Sequence, residues 1–137
     1  MPAVAVVDAG PLFAAADTRD RDHRACVAVL SRSDLRLVIP TLVVAEVSYL
    51  IGERLGPGVE AVFLHDMARS EVVAPEPEDW HRIAELVRQY ADFPLGGTDA
   101  SVVALAERLR TDLVITLDRR HLGAVQPRHC KSLRLLP

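Results

Sequence analysis

A chain of 137 residues, 50% of them hydrophobic and 26% charged, is long enough to bury a core and too apolar to be disordered. A formal net charge of −3 excludes the uniformly basic profile of a general nucleic-acid binder, and no apolar run reaches the roughly 18 residues that a membrane-spanning helix needs. The charge is uneven, however: from Glu107 onward seven Arg and Lys residues stand against three acids.

The first stretch, Ala3–Val7, is rich in valine and apolar throughout, the profile of a strand covered on both faces. It stops at Asp8, and Gly10-Pro11 reads as a turn before a short helix to Ala16. Asp17–Asp22 is a charged break, and Asp22 is placed to cap a helix over His23–Leu30 with Ala25, Val29 and Leu30 on one face. Cys26 in this helix and Cys130 are far apart and form neither a metal-spaced pair nor a disulfide framework, which fits a reducing cytoplasm.

Leu37-Val38-Ile39 is a second strand closed by Pro40. Thr41 is placed to cap a helix from Leu42 to Leu55, with Leu42, Ala45, Ser48 and Tyr49 on one face and Glu46 set in very apolar surroundings. Gly56-Pro57-Gly58 ends it, and Val59–Ala68 reads as another helix. A third strand, Val72–Ala74, precedes an amphipathic helix over Glu78–Tyr90, whose apolar side carries Trp80, Ile83, Ala84 and Val87. After a loop at Asp92–Gly97, Thr98 is placed to cap a helix over Asp99–Leu109, with Asp99 in the dipole-favoured first turn. Leu113–Thr116 is a fourth strand, followed at once by Asp118; Arg119–His129 reads as loop with at most one turn of helix, and Leu133–Leu136 as a last strand. Strands alternating with helices predict an α/β fold with a mostly parallel sheet of four to five strands between two helical layers.

Four acids stand out. Asp8 and Asp118 each follow a buried strand, and Asp99 opens a helix. In a parallel sheet, strand ends and the starts of the following helices share one edge, so these three converge; Glu46 joins them if its helix crosses that edge. Clustered carboxylates repel one another unless a cation lies among them, and an all-oxygen set suits Mg²⁺ or Mn²⁺. Such ions activate water and polarise phosphoryl oxygens, and an adjoining basic surface suits a nucleic-acid backbone. Each acid alone has an ordinary reading as well: a turn residue or cap for Asp8 and Asp99, an ion pair with Arg54 for Glu46.

The segments VVDAGPLFA, VVAEVSYLI, GGTDASVVALAERL and VITLDRRHL resemble those of PIN domains, and more closely of the toxins of bacterial VapBC toxin–antitoxin pairs. The resemblance runs from about Val4 to about Leu136, with the four acids in matching order and setting. It implies a single PIN domain over residues 1–137, acting in the bacterial cytoplasm as a Mg²⁺- or Mn²⁺-dependent endoribonuclease. By motif position it implies that Asp8, Glu46, Asp99 and Asp118 are the catalytic, metal-holding acids, with Thr116 in support. Arg119, Arg120 and Arg128 are the candidates for RNA-backbone contact. The resemblance also implies a homodimer and a cognate antitoxin, which apolar faces near Ala25–Leu30 and Val59–Met67 could seat. One departure is local: Ala9-Gly10 stands where the family commonly carries hydroxyl residues after the first acid.

Two other readings fit an acid after a first strand. A phosphoacceptor receiver domain wants an acidic pair and a lysine after a late strand, whereas the only lysine, Lys131, follows no such strand. A PIN-like binding module without activity would lack part of the acid set. A haloacid-dehalogenase-type phosphatase wants a second Asp where Gly10 stands.

Overall fold

A computed structural model describes residues 1–137. Strand β1 (Ala3–Val7) has Ala5, Val6 and Val7 fully buried in succession. Successive strand residues point to opposite faces, so both faces of β1 are covered. Helices α1 (Ala9–Ala16) and α2 (His23–Leu30) lead to β2 (Leu35–Pro40). Next come α3 (Thr41–Leu55), α4 (Pro57–Met67) and β3 (Val72–Val73), followed by α5 (Pro77–Gln89) and α6 (Gly97–Leu109). The chain ends with β4 (Leu113–Ile115), α7 (Arg119–Ala124) and β5 (Arg134–Leu136).

The five strands form one sheet in the order β3-β2-β1-β4-β5, and every pairing is parallel. The α/β class and the covered parallel sheet are therefore as expected. The chain first builds outward from β1 through β2 to β3, then crosses back to lay β4 and β5 on the other side. The order reverses between β1 and β4, where Val6 pairs with Val114 and Val7 with Ile115. Beyond the carboxyl ends of these two strands lies the crevice in which open parallel sheets place their ligands.

Helix α6 is the most enclosed: Ala100 to Ala106 are all buried, a run of mostly small and aliphatic side chains covered on every side. A helix so constrained holds its first turn, and hence Asp99, at a fixed position. Its far end is tied to α5 by charge. The Arg82 guanidinium donates to both oxygens of Glu107 (2.8 and 2.9 Å), and Arg108 donates to Asp79 (2.8 Å).

Several local expectations change. Gly10-Pro11 makes no separate turn; α1 starts at Ala9, and Pro11 sits in the first helical turn, where its missing N–H costs nothing. Cys26 and Val29 face inward on α2, and Ala25 is exposed. On α3 the buried face is Val43, Val47 and Ile51, while Tyr49 is 66% exposed. On α5, Ile83 and Leu86 are buried, and Trp80, expected in the core, lies 48% exposed. Thr41 and Thr98 lie inside the helices they were expected to cap, behind Pro40 and Gly96. The segment after Asp118 is the six-residue helix α7, longer than the single turn expected.

Candidate active site

Asp8 ends β1 with an extended backbone and is 5% exposed. It stands at the N-cap of α1, yet its side chain makes no capping bond. Instead the Thr116 hydroxyl donates to Asp8 Oδ2 (2.7 Å), and the same Thr116 oxygen accepts the Asp118 backbone N–H (2.9 Å). Thr116 is 1% exposed, and its bonds join the end of β1 to the turn after β4 across the switch point. Burial pushes the Asp8 carboxyl above its ordinary value, partly offset by the Thr116 and Ala9 hydrogen bonds and reinforced by the charge of Asp118.

A Cβ at Gly10 would meet the Leu117 side chain at 3.4 Å, an ordinary van der Waals contact, so packing does not require glycine where the family commonly carries a hydroxyl.

Asp99 lies half-buried in the first turn of α6, its carboxyl pushed up to about 6. Burial is the largest cause, followed by the negative charges of Asp8, Asp118 and Glu46. Glu46 projects from α3 at the cleft rim; it is open to solvent rather than enclosed, and it makes no ion pair with Arg54, which lies over the Phe13 ring (5.4 Å). Partial desolvation and the Asp8 charge still raise the Glu46 carboxyl, against the neighbouring Thr98 side chain. All four acids line one open cleft of about 580 Å³, together with Gly10, Leu117, Arg120 and His121. The charge of Asp118 helps raise Asp8 and Asp99, and that of Asp8 helps raise Asp99 and Glu46, so the cluster is electrostatically connected. No three His, Cys, Asp or Glu side chains are already gathered as a metal cage. The fit to a divalent cation therefore rests on the donor set lining the cleft: four carboxylates, all hard oxygen.

The arginines separate. Arg120 lines the cleft, its guanidinium over the Phe93 ring at 5.5 Å. Arg119 is exposed next to it and donates to the Pro137 carbonyl. Arg128 stands apart: it pairs with Glu85 (2.7 Å) and lines a different, charged cleft with Arg82, Glu107 and Arg108. Much of the basic C-terminal quarter is neutralised in this way, since Arg108 and Arg134 are also paired, with Asp79 and Asp112. His121 also lies in the cleft and contacts Asp118. Its spacing of three from the acid that starts α7 was the signal available.

A parallel sheet ordered 3-2-1-4-5 with four acids and a threonine at its switch point is the arrangement of a PIN domain. The chain belongs to the PIN domain family, whose model matches residues 5–125. Within that family it groups with the VapC ribonucleases: it is 35% identical over 124 residues to Ribonuclease VapC26 of Mycobacterium tuberculosis, covering 89% of this chain and 92% of that protein. Solved structures share the fold at low identity. M. tuberculosis VapC20, described as a sarcin–ricin loop cleaving toxin, superposes with a TM-score of 0.81 at 13% identity, over 89% of this chain and 95% of that one. VapBC2 from Rickettsia felis, bound to a DNA fragment from its promoter, gives 0.70 at 13% identity over 98% and 99%. A toxin–antitoxin complex from Klebsiella pneumoniae gives 0.68 at 18% identity over 88% and 92%.

Proposed function

We propose that this chain is an endoribonuclease that serves as the toxin of a toxin–antitoxin pair and hydrolyses RNA phosphodiester bonds at the four-acid cleft. The observation that carries the reading is the convergence of Asp8, Glu46, Asp99 and Asp118 on one cleft at the sheet's switch point, with Asp99 pushed up to about 6. The likeness to Ribonuclease VapC26 supports the reaction class.

The acids would hold Mg²⁺ or Mn²⁺. Such an ion, when bound, polarises a phosphoryl oxygen and acidifies a water at neutral pH. The chain's own residues supply position and charge. Thr116 keeps the Asp8 oxygens aimed out of the sheet edge, and buried α6 keeps Asp99 opposite them. Arg120, and Arg119 beside it, face the RNA backbone. Arg128 would contact only RNA that extends to the second cleft. No side chain serves as a covalent nucleophile, and the products carry a 3′-hydroxyl and a 5′-phosphate.

The antitoxin seat in this reading is an apolar groove of about 440 Å³ between α1, α2, β2 and α4, lined by Leu12, Leu30, Ile39, Val62, Phe63 and Met67. Val62 is 63% exposed there and Val59 37%, so the groove presents contiguous apolar surface to solvent. The reading also carries a homodimer, for which light scattering should give twice the mass of one chain. A cytoplasmic location belongs to the same proposal; no helix is long and apolar enough to cross a membrane.

Induced expression in bacteria should arrest growth, with new 5′-phosphate RNA ends mapped by sequencing, and Asp8→Asn should do neither. Arrest without new ends, or equal arrest by the variant, would contradict the proposal. Replacing Arg119 and Arg120 together by alanine should weaken RNA binding and flatten its salt dependence by up to about two counterions in the log–log slope. An unchanged slope would remove both from the RNA contact.

A further inference from the structure

Asp118 is carried by the shortest elements of the four acids. Asp8 is fastened by Thr116, Asp99 by the enclosure of α6, and Glu46 by a position inside the 15-residue helix α3. Asp118 instead lies between the three-residue strand β4 and the six-residue helix α7. Its backbone N–H is held by Thr116, but this leaves its carboxylate free to turn about its own side-chain bonds.

His121 removes that freedom. Its backbone N–H donates to Asp118 Oδ1 (2.9 Å), which is the ordinary helix cap. A cap needs only that one oxygen. The ring adds a second hold: Nδ1 lies 3.0 Å from Oδ2 and 3.2 Å from Oδ1. Nδ1 donates in the imidazolium and in the neutral tautomer protonated there, so the contact does not depend on His121 changing its charge. With one donor directed at each oxygen, the carboxylate plane is fixed, and each oxygen keeps a lone pair for the cleft.

The ring is itself held. It packs against Phe93 at a centroid distance of 4.8 Å, tilted by 45°, and Phe93 comes from the loop between α5 and α6. The Arg120 guanidinium lies over the same Phe93 ring, and fully buried Leu122 anchors α7 beneath. Three segments thus meet around a histidine whose polar atom faces an acid of the cleft. An aromatic contact of this kind restricts the ring's orientation.

We propose that His121, held in place by Phe93, is a positioning residue that aims the Asp118 carboxylate into the cleft and so sets its affinity for a divalent cation. This rests on the reading of Asp118 as a metal-holding acid. Partners of this kind behind a ligating group are worth about 10- to 100-fold in metal affinity.

The test is titration calorimetry of Mn²⁺ into the whole chain without RNA, comparing wild type with His121→Phe and His121→Asn. Phenylalanine keeps the packing on Phe93 and loses the donor; asparagine restores an N–H close to the Nδ1 position. Expected is a loss of affinity of about 10-fold or more for His121→Phe and recovery to within about threefold of wild type for His121→Asn. Melting temperatures measured alongside should stay close together, since a purely structural role would move stability without this donor-specific pattern. If His121→Phe binds Mn²⁺ as wild type does, or if both variants fall equally, the positioning role is overturned while the metal reading stands. If wild type itself binds no Mn²⁺, the reading beneath the proposal fails, and the proposal with it.

Discussion

Asp99→Asn should lose RNA cleavage by about 10³-fold and, in the absence of metal, should fold more stably than wild type. The two effects have one origin. Asp99 is half-buried, and the charges of Asp8, Asp118 and Glu46 press on it, so its carboxyl is raised from 3.8 to about 6. Near pH 7 it is nonetheless mostly ionised, at a cost the unfolded chain does not bear. The isosteric amide removes that cost, worth about 1 kcal/mol once solvent screening at a partly open site is allowed for. It also removes one of the charges that would hold the proposed cation. Losing about 4 kcal/mol of transition-state stabilisation corresponds to the stated fall in rate.

The pH dependence has a definite sign. A carboxyl raised on folding makes the native state bind more protons than the unfolded chain. Its stabilising contribution is complete below about 3.8 and is lost as pH rises through about 6. Metal-free wild type should therefore lose stability across that window relative to Asp99→Asn, and the gap should close when Mn²⁺ is added. Melting curves from pH 4 to 7 read this directly. A variant less stable than wild type at pH 7 without metal would contradict the account of the cluster.

Glu107→Ala, though outside the cleft, should lower stability by about 3 kcal/mol. Burial pushes the Glu107 carboxyl up, but the Arg82 guanidinium and the Arg128 backbone N–H outweigh this and hold it below its ordinary value. The side chains of Glu107 and Arg82 are each only 10% exposed. Removing the acid leaves Arg82 with the more exposed Glu85 alone and frees the Arg128 N–H. Because the pair joins α5 to α6, loosening it also loosens the helix that presents Asp99. The expected fall in melting temperature is about 10 °C. Replacing both partners by apolar residues, Arg82→Met with Glu107→Leu, should recover most of it, since the penalty is chiefly that of an uncompensated charge. A melting point for Glu107→Ala within about 2 °C of wild type would show that the pair carries little.

What could be read in the sequence follows from what is local. β1 and β4 are short apolar runs that stop at acids, so their burial and the edge position of Asp8 and Asp118 were both legible. Asp99 was legible through its place in a first turn. The inward face of α3 was not: in LVVAEVSYLI nearly every position is apolar, so helical spacing selects no unique stripe, and Val43, Val47 and Ile51 won over Leu42, Ala45 and Tyr49. Trp80 shares helical spacing with Ile83 and Val87, yet α6 meets the side of α5 that carries Ile83 and Leu86. The partners of the arginines were the least legible, because Arg82 and Glu107, or Arg108 and Asp79, meet only once α5 and α6 are packed together.

The proposed function stands or falls on whether the acids at the switch point form a metal-dependent ribonuclease centre. Single-turnover cleavage of an RNA substrate by wild type and Asp8→Asn, each with Mn²⁺ and with EDTA, tests it most directly. Expected is cleavage by wild type with Mn²⁺ and none in the other three arms. Cleavage that survives both EDTA and the loss of the Asp8 charge would contradict it.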